Sequence, residues 1–516
     1  MKTTLSLLFF LVFICPRLWA LEKSFPNIIY ILADDFGYGD ASCYNPESKI
    51  ITPHIDRLAK AGMRFTDAHT PSSVCSPTRY GILTGRYCWR TRLKERVLDG
   101  FDPPLIEPDQ VTVASFLKKQ GYATAAVGKW HLGMNWTDKK GVEVPWIPTA
   151  EKKRPRNGFD VDYTVKIKGG PIAVGFDYYF GISASLNMSP FCYLKNDRAL
   201  HLPVWQQKRI STDFVSVDEG MRSPDFTITG VMPRLTGEAI AVIENHATEK
   251  STQPLFLYAP LTSPHLPLAP NVEYRGSSQA GEYGDFVVET DAFVGAIMDA
   301  LERTGMADDT LVVFTSDNGG LYHWWQAKEA DDLKHYRVNK RGQYVKDRGH
   351  QGNAHLRGTK ADIWEGGHRV PFIVRWPGKT PAGSTSDELI ELTDLLATCA
   401  AITGVELPQG AGPDSRNILQ ALLGREGAEP LRDYAVHHSL WGMFAIRKGD
   451  WKLIEHRGSG GFTRPRKINP AKEGGPAGQL YNLKDDPAET KNLWDEKPQV
   501  VKRLLKLLKE VKADDA

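Results

Sequence analysis

Short apolar runs recur along the chain, and each of them ends in polar residues. The runs that we interpret as buried strands are residues 27–33, 124–127, 255–258, 311–315 and 371–376. Continuous apolar runs of this length are typical of parallel strands that are covered on both faces. Between them lie amphipathic segments, of which 113–117 and 286–301 place their apolar residues on one helical face. This alternation predicts an α/β fold with a mostly parallel central sheet between helices.

The last fifth of the chain has a different pattern. Residues 407–413 are rich in Gly and Pro, and we place a domain boundary at residue 410. The elements predicted beyond it are hairpin strands at 433–438, 443–448 and 451–455 and an amphipathic helix at 500–511. We therefore predict a large domain over residues 21–410 and a smaller α+β domain with an antiparallel sheet over residues 411–516.

The N-terminus has the features of a secretory signal peptide. Lys2 precedes an apolar stretch from Leu5 to Ile14, and Ala20 is a small residue suited to cleavage. The apolar stretch is shorter than the about 20 residues that span a bilayer. We predict that residues 1–20 are removed and that the protein is not stably inserted in a membrane. It would be secreted or periplasmic, or lysosomal if the source is a eukaryote.

The charge balance of the chain changes when this segment is removed. The whole chain has 64 Lys and Arg against 62 Asp and Glu, and residues 1–20 contain Lys2 and Arg17 but no acid. The shortened chain therefore has 62 of each and is formally neutral. This argues against nucleic acid as a partner, and an anionic substrate would have to be recognised by local charges.

Five cysteines remain after removal of the N-terminal segment: Cys43, Cys75, Cys88, Cys192 and Cys399. Cys75 lies in a distinctive run that is described below. The other four could be free or form up to two disulfides, and the spacing does not select between these alternatives.

Four oxygen-bearing residues follow two of the predicted strands. Asp34 and Asp35 come directly after the first strand, and Asp317 and Asn318 follow the run at 311–315. The carboxyl ends of parallel strands meet at one edge of the sheet, where α/β proteins bind their ligands. A set of oxygen ligands suits Ca²⁺ or Mg²⁺ and does not suit zinc. The sequence therefore predicts a site for a hard divalent cation at this edge.

Residues 75–79 read Cys-Ser-Pro-Thr-Arg and predict the start of a helix. Ser76 is a suitable N-cap, Pro77 a suitable first helical residue, and Gly85 a suitable C-terminal end. Cys75 would then stand at a helix N-terminus, where free N–H groups and the helix dipole favour an anion. Arg79, one turn into the helix, can reach back towards the metal site.

Residues 75–79, together with Leu-Thr-Gly-Arg at 83–86, resemble the signature of the type I sulfatases. In that family the cysteine is oxidised after translation to formylglycine by a maturation enzyme. The hydrate of this aldehyde is the nucleophile, and the reaction passes through a sulfo-enzyme intermediate that releases sulfate by carbon–oxygen cleavage. The resemblance also implies one Ca²⁺ ion, and its ligands would be Asp34, Asp35, Asp317, Asn318 and an oxygen of the modified Cys75.

Further segments that resemble the same family contain basic and proton-transferring residues. Lys129 and His131 follow the strand predicted at 124–127, His265 ends a Ser-Pro-His run, and Lys360 ends a Gly-Thr-Lys run. The resemblance implies that Lys129 and Lys360 bind the sulfate. It implies that His131 contacts the hydrate and removes its second proton. We assign His265 as the acid that protonates the leaving-group oxygen, with assistance from Lys360.

The resemblance extends from about residue 26 to about residue 500 and implies an alkaline-phosphatase-like core. Residues 175–181 resemble the branch of arylsulfatase A and N-acetylgalactosamine-6-sulfatase. The expected substrate is therefore a sulfated carbohydrate of a glycan, with 6-O-sulfated galactose or N-acetylgalactosamine favoured. Two alternatives stay open: a phosphodiesterase or phosphonate hydrolase of the same superfamily, and a non-catalytic binder of sulfated glycans.

A long polar segment at residues 321–358 contains aromatic and cationic side chains that suit sugar rings and their acidic groups. The candidate substrate contacts in it are Trp324, Trp325, Arg348, His350, His355 and Arg357. We interpret His54, His69 and His201 as structural residues and Arg369 as an ion-pair residue.

Overall fold

The computed structural model describes residues 25–148, 157–212, 215–249, 252–325, 338–425, 427 and 429–514. The strands, in chain order, are β1 Asn27–Ala33, β2 Met63–Phe65, β3 Ala68–His69, β4 Ala123–Lys129, β5 Tyr178–Ile182, β6 Leu194–Lys195, β7 Arg198–Ala199, β8 Trp205–Gln207, β9 Ile210–Ser211, β10 Ser216–Val217, β11 Gly220–Arg222, β12 Leu255–Pro260, β13 Thr310–Ser316, β14 Phe372–Arg375, β15 Ser384–Ser386, β16 Ile390–Glu391, β17 Ala435–His438, β18 Phe444–Lys448, β19 Trp451–Ile454 and β20 Gln479–Asn482. The α-helices are α1 Pro53–Lys60, α2 Cys75–Thr84, α3 Val113–Lys119, α4 Val231–Glu249, α5 Glu282–Arg303, α6 Lys340–Lys346, α7 Glu365–His368, α8 Leu395–Thr403, α9 Leu419–Leu422, α10 Pro470–Glu473 and α11 Pro498–Ala513.

The central sheet has ten strands in the order β15-β2-β14-β13-β1-β12-β4-β5-β6-β7. Its middle strands, from β13 to β5, are all parallel to one another. Strand β14 pairs antiparallel with β13 and β2, and β6 pairs antiparallel with β5 and β7. The predicted α/β fold with a mostly parallel central sheet is therefore confirmed. Because the middle strands share a direction, the residues that follow them meet at one edge of the sheet.

Strand β1 shows why both faces of the sheet are covered. Ile28 and Tyr30 point into one apolar core, which also contains residues of α2, α3 and α8. Ile29 and Ile31 point into a second core, which also contains residues of α1, α4 and α5. All four side chains are buried, because successive residues of a strand face opposite sides and each side meets a layer of helices.

The second, smaller sheet is formed by β17, β18, β19 and β20, and all of its pairs are antiparallel. Leu504 and Leu508 of α11 pack with Ile446 and Leu453 of this sheet in one buried cluster. The predicted antiparallel sheet and its helix are therefore confirmed, although β20 was not predicted as a strand. Residues just past the predicted boundary at 410, including Leu422, pack in the core of the central sheet. The division at residue 410 stays a prediction.

The structure also bears on the N-terminal segment and the thiols. The predicted signal peptide, residues 1–20, lies outside the described residues. In the described part of the chain, no helix has both the length and the apolar content needed to cross a membrane. The cysteines Cys43, Cys75, Cys88, Cys192 and Cys399 are free thiols.

Candidate active site

The two acidic pairs lie together at the carboxyl ends of β1 and β13, which are adjacent parallel strands. The backbone N–H of Asp35 donates to Asp317 Oδ1 at 3.2 Å, and Asn318 Nδ2 donates to Asp35 Oδ1 at 2.8 Å. Asp34 and the other three residues are all buried. Two segments that are far apart in sequence thus build one oxygen-rich site, because their strands end side by side.

Three oxygens of this site are buried and have no hydrogen-bond partner among the described residues. They are Asp34 Oδ1, Asp35 Oδ2 and Asn318 Oδ1. Ligand atoms of Asp34, Asp35, Cys75 and His265 all lie within 4.8 Å of one another. Buried acceptors are normally satisfied, so several unpartnered ones in neighbouring residues indicate a missing positive partner. Carboxylate and amide oxygens are the donors that Ca²⁺ prefers, and this set fits such an ion.

Two lysines are paired with the acidic side chains that follow β1. Lys129 Nζ donates to Asp34 Oδ2 at 2.7 Å, and Lys360 Nζ lies 2.6 Å from Asp35 Oδ1. Burial by itself would raise the pKa of Asp35, but Lys360 and His265 hold that pKa below its usual value. Asp35 is therefore ionised at neutral pH even though it is buried.

Arg79 connects helix α2 to the acidic site. Its Nε and Nη2 atoms donate to Asp317 Oδ2 at 2.9 and 2.7 Å, and its Nη1 donates to the backbone carbonyl of Lys129 at 2.9 Å. A guanidinium held by several bonds of this kind has one fixed orientation. The prediction that Arg79 reaches back to the metal site agrees with this geometry.

Helix α2 begins two residues earlier than expected. Val74 is the N-cap residue, its carbonyl accepts from Thr78 N at 3.4 Å, and Cys75 is the first helical residue. The prediction of Ser76 as N-cap was wrong because Ser76 Oγ accepts instead from Leu98 N at 3.2 Å, in a loop outside the helix. Gly85 ends the helix with a left-handed φ of 63°, as predicted.

The Cys75 thiol lies at the start of this helix, next to the oxygen-rich site. Lys360 Nζ is 3.7 Å from Cys75 Sγ. Burial raises the pKa of the Cys75 thiol, and the nearby Lys129 and Lys360 do not reverse this shift. Catalytic thiols normally have a lowered pKa, so this side chain is not set up to act as a thiolate.

His131 has one ring nitrogen engaged and one free within the site. His131 Nε2 lies 2.7 Å from the Leu98 carbonyl, which can only accept, so Nε2 carries the proton. Its Nδ1 atom is buried without a hydrogen-bond partner among the described residues. Burial and the charges of Lys129 and Arg79 lower the pKa of His131 well below its usual value. Neutral His131 therefore presents a bare, proton-accepting Nδ1.

His265 is held in a similar way after β12. Its Nδ1 donates to the Leu266 carbonyl at 2.6 Å, and its Nε2 lies 3.8 Å from Asp35 Oδ2. Burial and the charge of Lys360 lower the pKa of His265 well below its usual value, against the opposing effect of Asp35. The free ring nitrogen of this histidine faces the same site.

Left-handed backbone conformations occur at this site in residues other than glycine. Asp35, His131 and Ala361 have φ values of 67°, 57° and 79°. Such conformations are unfavourable for side-chain-bearing residues and persist where the surrounding structure enforces them, often at functional sites. Asp35 and His131 are residues that the sequence analysis selected, and Ala361 directly follows the selected Lys360.

The candidate substrate contacts of the segment at 321–358 have mixed environments. Arg357 is buried with its guanidinium over the rings of Trp325 and Trp364, so it is tied into the packing. His350 is buried and its Nε2 lies 2.8 Å from Asp40 Oδ1. The other candidates are Trp324, which is half-buried, and Arg348 and His355, which are exposed.

Comparison with protein families identifies the chain. The family model described as Sulfatase matches residues 26–405. The chain belongs to the sulfatase family. A second model, described as N-sulphoglucosamine sulphohydrolase, C-terminal, matches residues 359–514 of this sulfatase. The match confirms the predicted family and the assignment as an enzyme, a sulfuric ester hydrolase.

Individual relatives confirm the branch of the family. The sulfatase is 34% identical to N-acetylgalactosamine-6-O-sulfatase of Bacteroides thetaiotaomicron, over 94% of this chain and 93% of that protein. It is 31% identical to arylsulfatase A of Bos taurus, over 94% of this chain and 87% of that protein. A solved structure from work on the metabolism of multiple glycosaminoglycans by Bacteroides thetaiotaomicron superimposes with a TM-score of 0.78 at 31% identity, covering 95% of this chain and all of that one.

Two parts of this sulfatase site were missed in the sequence. Leu98 supplies the carbonyl that fixes His131 and the N–H that binds Ser76. Leu440 donates its N–H to Ala361 O at 3.1 Å and so brings the C-terminal residues beside Lys360. Both contacts use backbone groups of loops, and no side-chain pattern in the sequence marks them.

Proposed function

We propose that this sulfatase hydrolyses sulfate esters of glycan sugars, with a formylglycine derived from Cys75 and one Ca²⁺ ion. The three unpartnered oxygens beside the Cys75 side chain are the single observation that carries this proposal. They provide a place for a hard cation next to the predicted nucleophile. The raised pKa of the Cys75 thiol argues against a thiolate as the nucleophile at this position.

The residues that would hold the ion are Asp34, Asp35, Asp317 and Asn318, with an oxygen of the modified Cys75. A bound Ca²⁺ supplies positive charge that offsets the charge of the sulfate and of the transition state. Arg79 fixes the Asp317 carboxylate by two hydrogen bonds to the same oxygen. Its other oxygen, Oδ1, accepts from the Asp35 backbone N–H at 3.2 Å, so both oxygens are held and Asp317 would keep its orientation.

The formylglycine, as its hydrate, supplies a hydroxyl nucleophile at the position of Cys75. Lys129 and Lys360 would bind the anionic sulfate oxygens, since both ammonium groups lie at the site and are buried. Burial would lower the pKa of Lys360, but Asp35 and the surrounding acids raise it above its usual value. Lys360 therefore stays charged while the substrate binds.

The two histidines would move protons at different atoms. His131 Nδ1 is bare in the neutral ring and would accept a proton, while its Nε2–H stays on the Leu98 carbonyl. His265 Nε2 would give a proton to the leaving-group oxygen, while its Nδ1–H stays on the Leu266 carbonyl. An anionic substrate raises the pKa of a nearby histidine, so sulfate binding would favour the protonated form that an acid needs.

The substrate that we favour is 6-O-sulfated N-acetylgalactosamine or galactose. It is supported by the identity of 34% to the N-acetylgalactosamine-6-O-sulfatase of Bacteroides thetaiotaomicron. We also propose export of the protein with loss of residues 1–20, and oxidation of Cys75 by a formylglycine-generating or equivalent enzyme. Two domains, 21–410 and 411–516, remain our proposal for the organisation of the exported chain.

The test combines mass spectrometry with turnover. The peptide that carries Cys75, from protein co-expressed with a maturation enzyme, should contain formylglycine. This protein should release sulfate from 6-O-sulfated N-acetylgalactosamine or galactose faster than from 4-O-sulfated sugars or an aryl phosphodiester. Cys75→Ala is the control and should lose at least about 10³-fold in kcat. Full turnover with an intact thiol would refute the nucleophile, and preference for the phosphodiester would favour the alternative hydrolase.

A further inference from the structure

A cationic and aromatic surface lies beside the proposed site and is used by none of the roles assigned above. Two guanidinium groups lie over the ring of Trp441: Arg96 Cζ is 4.4 Å and Arg466 Cζ is 5.3 Å from its centroid. Arg96 comes from the large domain, whereas Trp441 and Arg466 come from the C-terminal part of the chain. Contacts of this kind hold a guanidinium in place without neutralising its charge.

Hydrogen bonds and packing attach this surface to the site. Trp441 packs against a buried cluster of Val74, Ala361 and Leu440, and Val74 and Ala361 adjoin Cys75 and Lys360 in sequence. The N–H of Arg96 donates to Leu440 O at 2.7 Å, while Ala361 N donates to Ser73 O at 2.8 Å. The surface is thus fixed relative to the proposed nucleophile and to the sulfate-binding lysine.

Two donors of this surface have no acceptor. Arg96 Nε and Trp441 Nε1 are buried atoms that lack a hydrogen-bond partner in the described part of the chain. Arg96 also has a left-handed backbone with a φ of 62°, which is unfavourable for an arginine. Unsatisfied buried donors are rare because they lose their bonds to water, so two of them on side chains in contact, one of which belongs to the strained Arg96, point to an external acceptor.

The charge around Trp441 favours an anion as that acceptor. Trp441 lines a cavity of about 340 Å³ together with His456, Arg466 and Lys467. Glu455 also lines it, but its Oε2 accepts from Lys512 Nζ at 3.1 Å and its Oε1 from a backbone N–H at 3.1 Å. The acid is therefore engaged, and Arg466 and Lys467 give the cavity a positive field.

We propose that Arg96, Trp441 and Arg466 form a subsite for an anionic sugar that neighbours the sulfated sugar being hydrolysed. The two guanidinium groups and the Trp441 N–H would donate to its carboxylate or to a second sulfate, since both present planar or clustered oxygens to such donors. This inference rests on the proposed function, because it places a second sugar of the same glycan next to the reacting one.

The test compares disaccharides that share one 6-O-sulfated sugar and differ in the neighbour, which is neutral, a uronic acid or a sulfated sugar. In Arg466→Gln and Arg96→Gln, kcat/KM on at least one anionic disaccharide should fall about tenfold, mainly through KM. On the neutral disaccharide and on an aryl sulfate it should change by less than about twofold. The anionic neighbour that shows the loss identifies the group bound.

Arg503→Gln is the matched control, since it removes an exposed arginine of the same C-terminal part. Arg466 is exposed, so its replacement leaves folding intact even if Arg96→Gln does not fold. Equal effects on neutral and anionic disaccharides, or no effect on either anionic one, would overturn the subsite.

Failure of the proposed function would give a different result. The wild-type protein would then turn over neither the aryl sulfate nor the disaccharides. In that case calorimetric titration with the same disaccharides still decides the subsite. Weaker binding of an anionic disaccharide to Arg466→Gln than to Arg503→Gln supports the subsite, and equal affinity refutes it.

Discussion

Two buried polar clusters of this sulfatase contain groups of metal-ligand type, and they differ in what their atoms offer. The acidic cluster consists of Asp34, Asp35, Asp317 and Asn318 at the ends of β1 and β13. The histidine cluster consists of His69, His368, His437, Glu365 and Lys452, from β3, α7, β17 and β19. The first presents oxygens without hydrogen-bond partners among the described residues, whereas the second already contains a cation.

The internal bonds of the histidine cluster explain why the carboxylates there need no added cation. Lys452 Nζ lies 2.9 Å from Glu365 Oε1, 2.9 Å from Glu489 Oε1 and 3.0 Å from His368 Nε2. The rings of His368 and His437 are stacked with their centroids 4.0 Å apart. Burial and the neighbouring positive groups lower the pKa of both histidines well below the usual value. They are neutral, and the ammonium group supplies the positive charge that the two glutamates require.

The difference shows that ligand-type residues do not by themselves define a metal site. Both clusters are buried, and both combine carboxylates with nearby cations. Only the acidic cluster keeps several oxygen acceptors without hydrogen-bond partners among the described residues after its internal cations are paired. The histidine cluster leaves the ring nitrogen His437 Nε2 without a partner in that part of the chain, but the carboxylates there are already paired with Lys452. This difference supports the proposal of an added cation at the acidic cluster, whereas the histidine cluster joins β3 and α7 to the C-terminal sheet.

Substitutions at the two clusters should differ most in their effect on calcium-dependent turnover. Asp35→Asn removes one charge of the proposed site and should lower kcat about 10³-fold, because the ion contributes several kcal/mol to the transition state. Asp67→Asn is the matched change at the histidine cluster, where Asp67 Oδ1 lies 2.9 Å from His69 Nε2. It should leave kcat largely intact. Sulfate release by both variants, with and without Ca²⁺, is the measurement.

The same pair of variants gives a readout that is independent of turnover. Ca²⁺ at about one hundred times its Kd should stabilise the wild-type protein by about 2.7 kcal/mol, seen as a higher unfolding temperature. Asp67→Asn should keep this response and Asp35→Asn should lose it. If Ca²⁺ instead stabilised Asp35→Asn as much as wild type, the ion would not bind at the acidic cluster.

The next largest expected effect is a loss of stability when the histidine cluster is disrupted. Lys452→Met leaves Glu365 and Glu489 buried without their shared ammonium group, which should cost about 3–5 kcal/mol in the free energy of unfolding. Urea denaturation measures this loss. Lys448→Met, which removes a more exposed lysine paired with Asp433 in the same sheet, should cost less than about 1 kcal/mol. Equal losses in both variants would mean that the cluster does not join β3 and α7 to the C-terminal sheet.

Much of this comparison was accessible in the sequence, and the reason differs between the clusters. Asp34 and Asp317 directly follow apolar runs, so strand pairing predicts that they meet at one sheet edge. The type I sulfatase resemblance then assigned their expected chemistry. The start of α2 was misplaced because Ser76 has a better partner in Leu98, a tertiary contact that helix-capping preferences cannot anticipate.

The histidine cluster could not be predicted in the same way. Its members lie in β3, α7, β17 and β19, and those from β3 and α7 are far in sequence from each other and from those in β17 and β19. His69 was interpreted as structural, and its ring contact with His437, at 5.2 Å between centroids, depends on how the C-terminal sheet docks. The same docking brings Trp441 over Arg96. Docking of distant segments has no local period or motif, so the sequence contains no direct signal for it.

The smallest expected effect tests the role of the cation itself, at a buried carboxylate that has no lysine or arginine paired with it in the described part of the chain. Burial raises the pKa of Glu289 to about 7, although Asn271 N donates to its Oε2 at 3.0 Å. The raised value contrasts with Asp35, whose pKa Lys360 holds low.

Because folded Glu289 binds its proton more tightly than the unfolded chain does, its contribution to stability is present below about pH 4.5 and is lost as pH rises to about 7. Glu289→Gln should remove this loss and be about 1–2 kcal/mol more stable than wild type at pH 8, with no difference at pH 4. Urea denaturation at both pH values measures it, and Glu282→Gln at an exposed position of the same helix is the control. A Glu289→Gln variant that is less stable than wild type at pH 8 would show that the ionised carboxylate is satisfied there, and that burial without a cation is not what distinguishes Glu289 from Asp35.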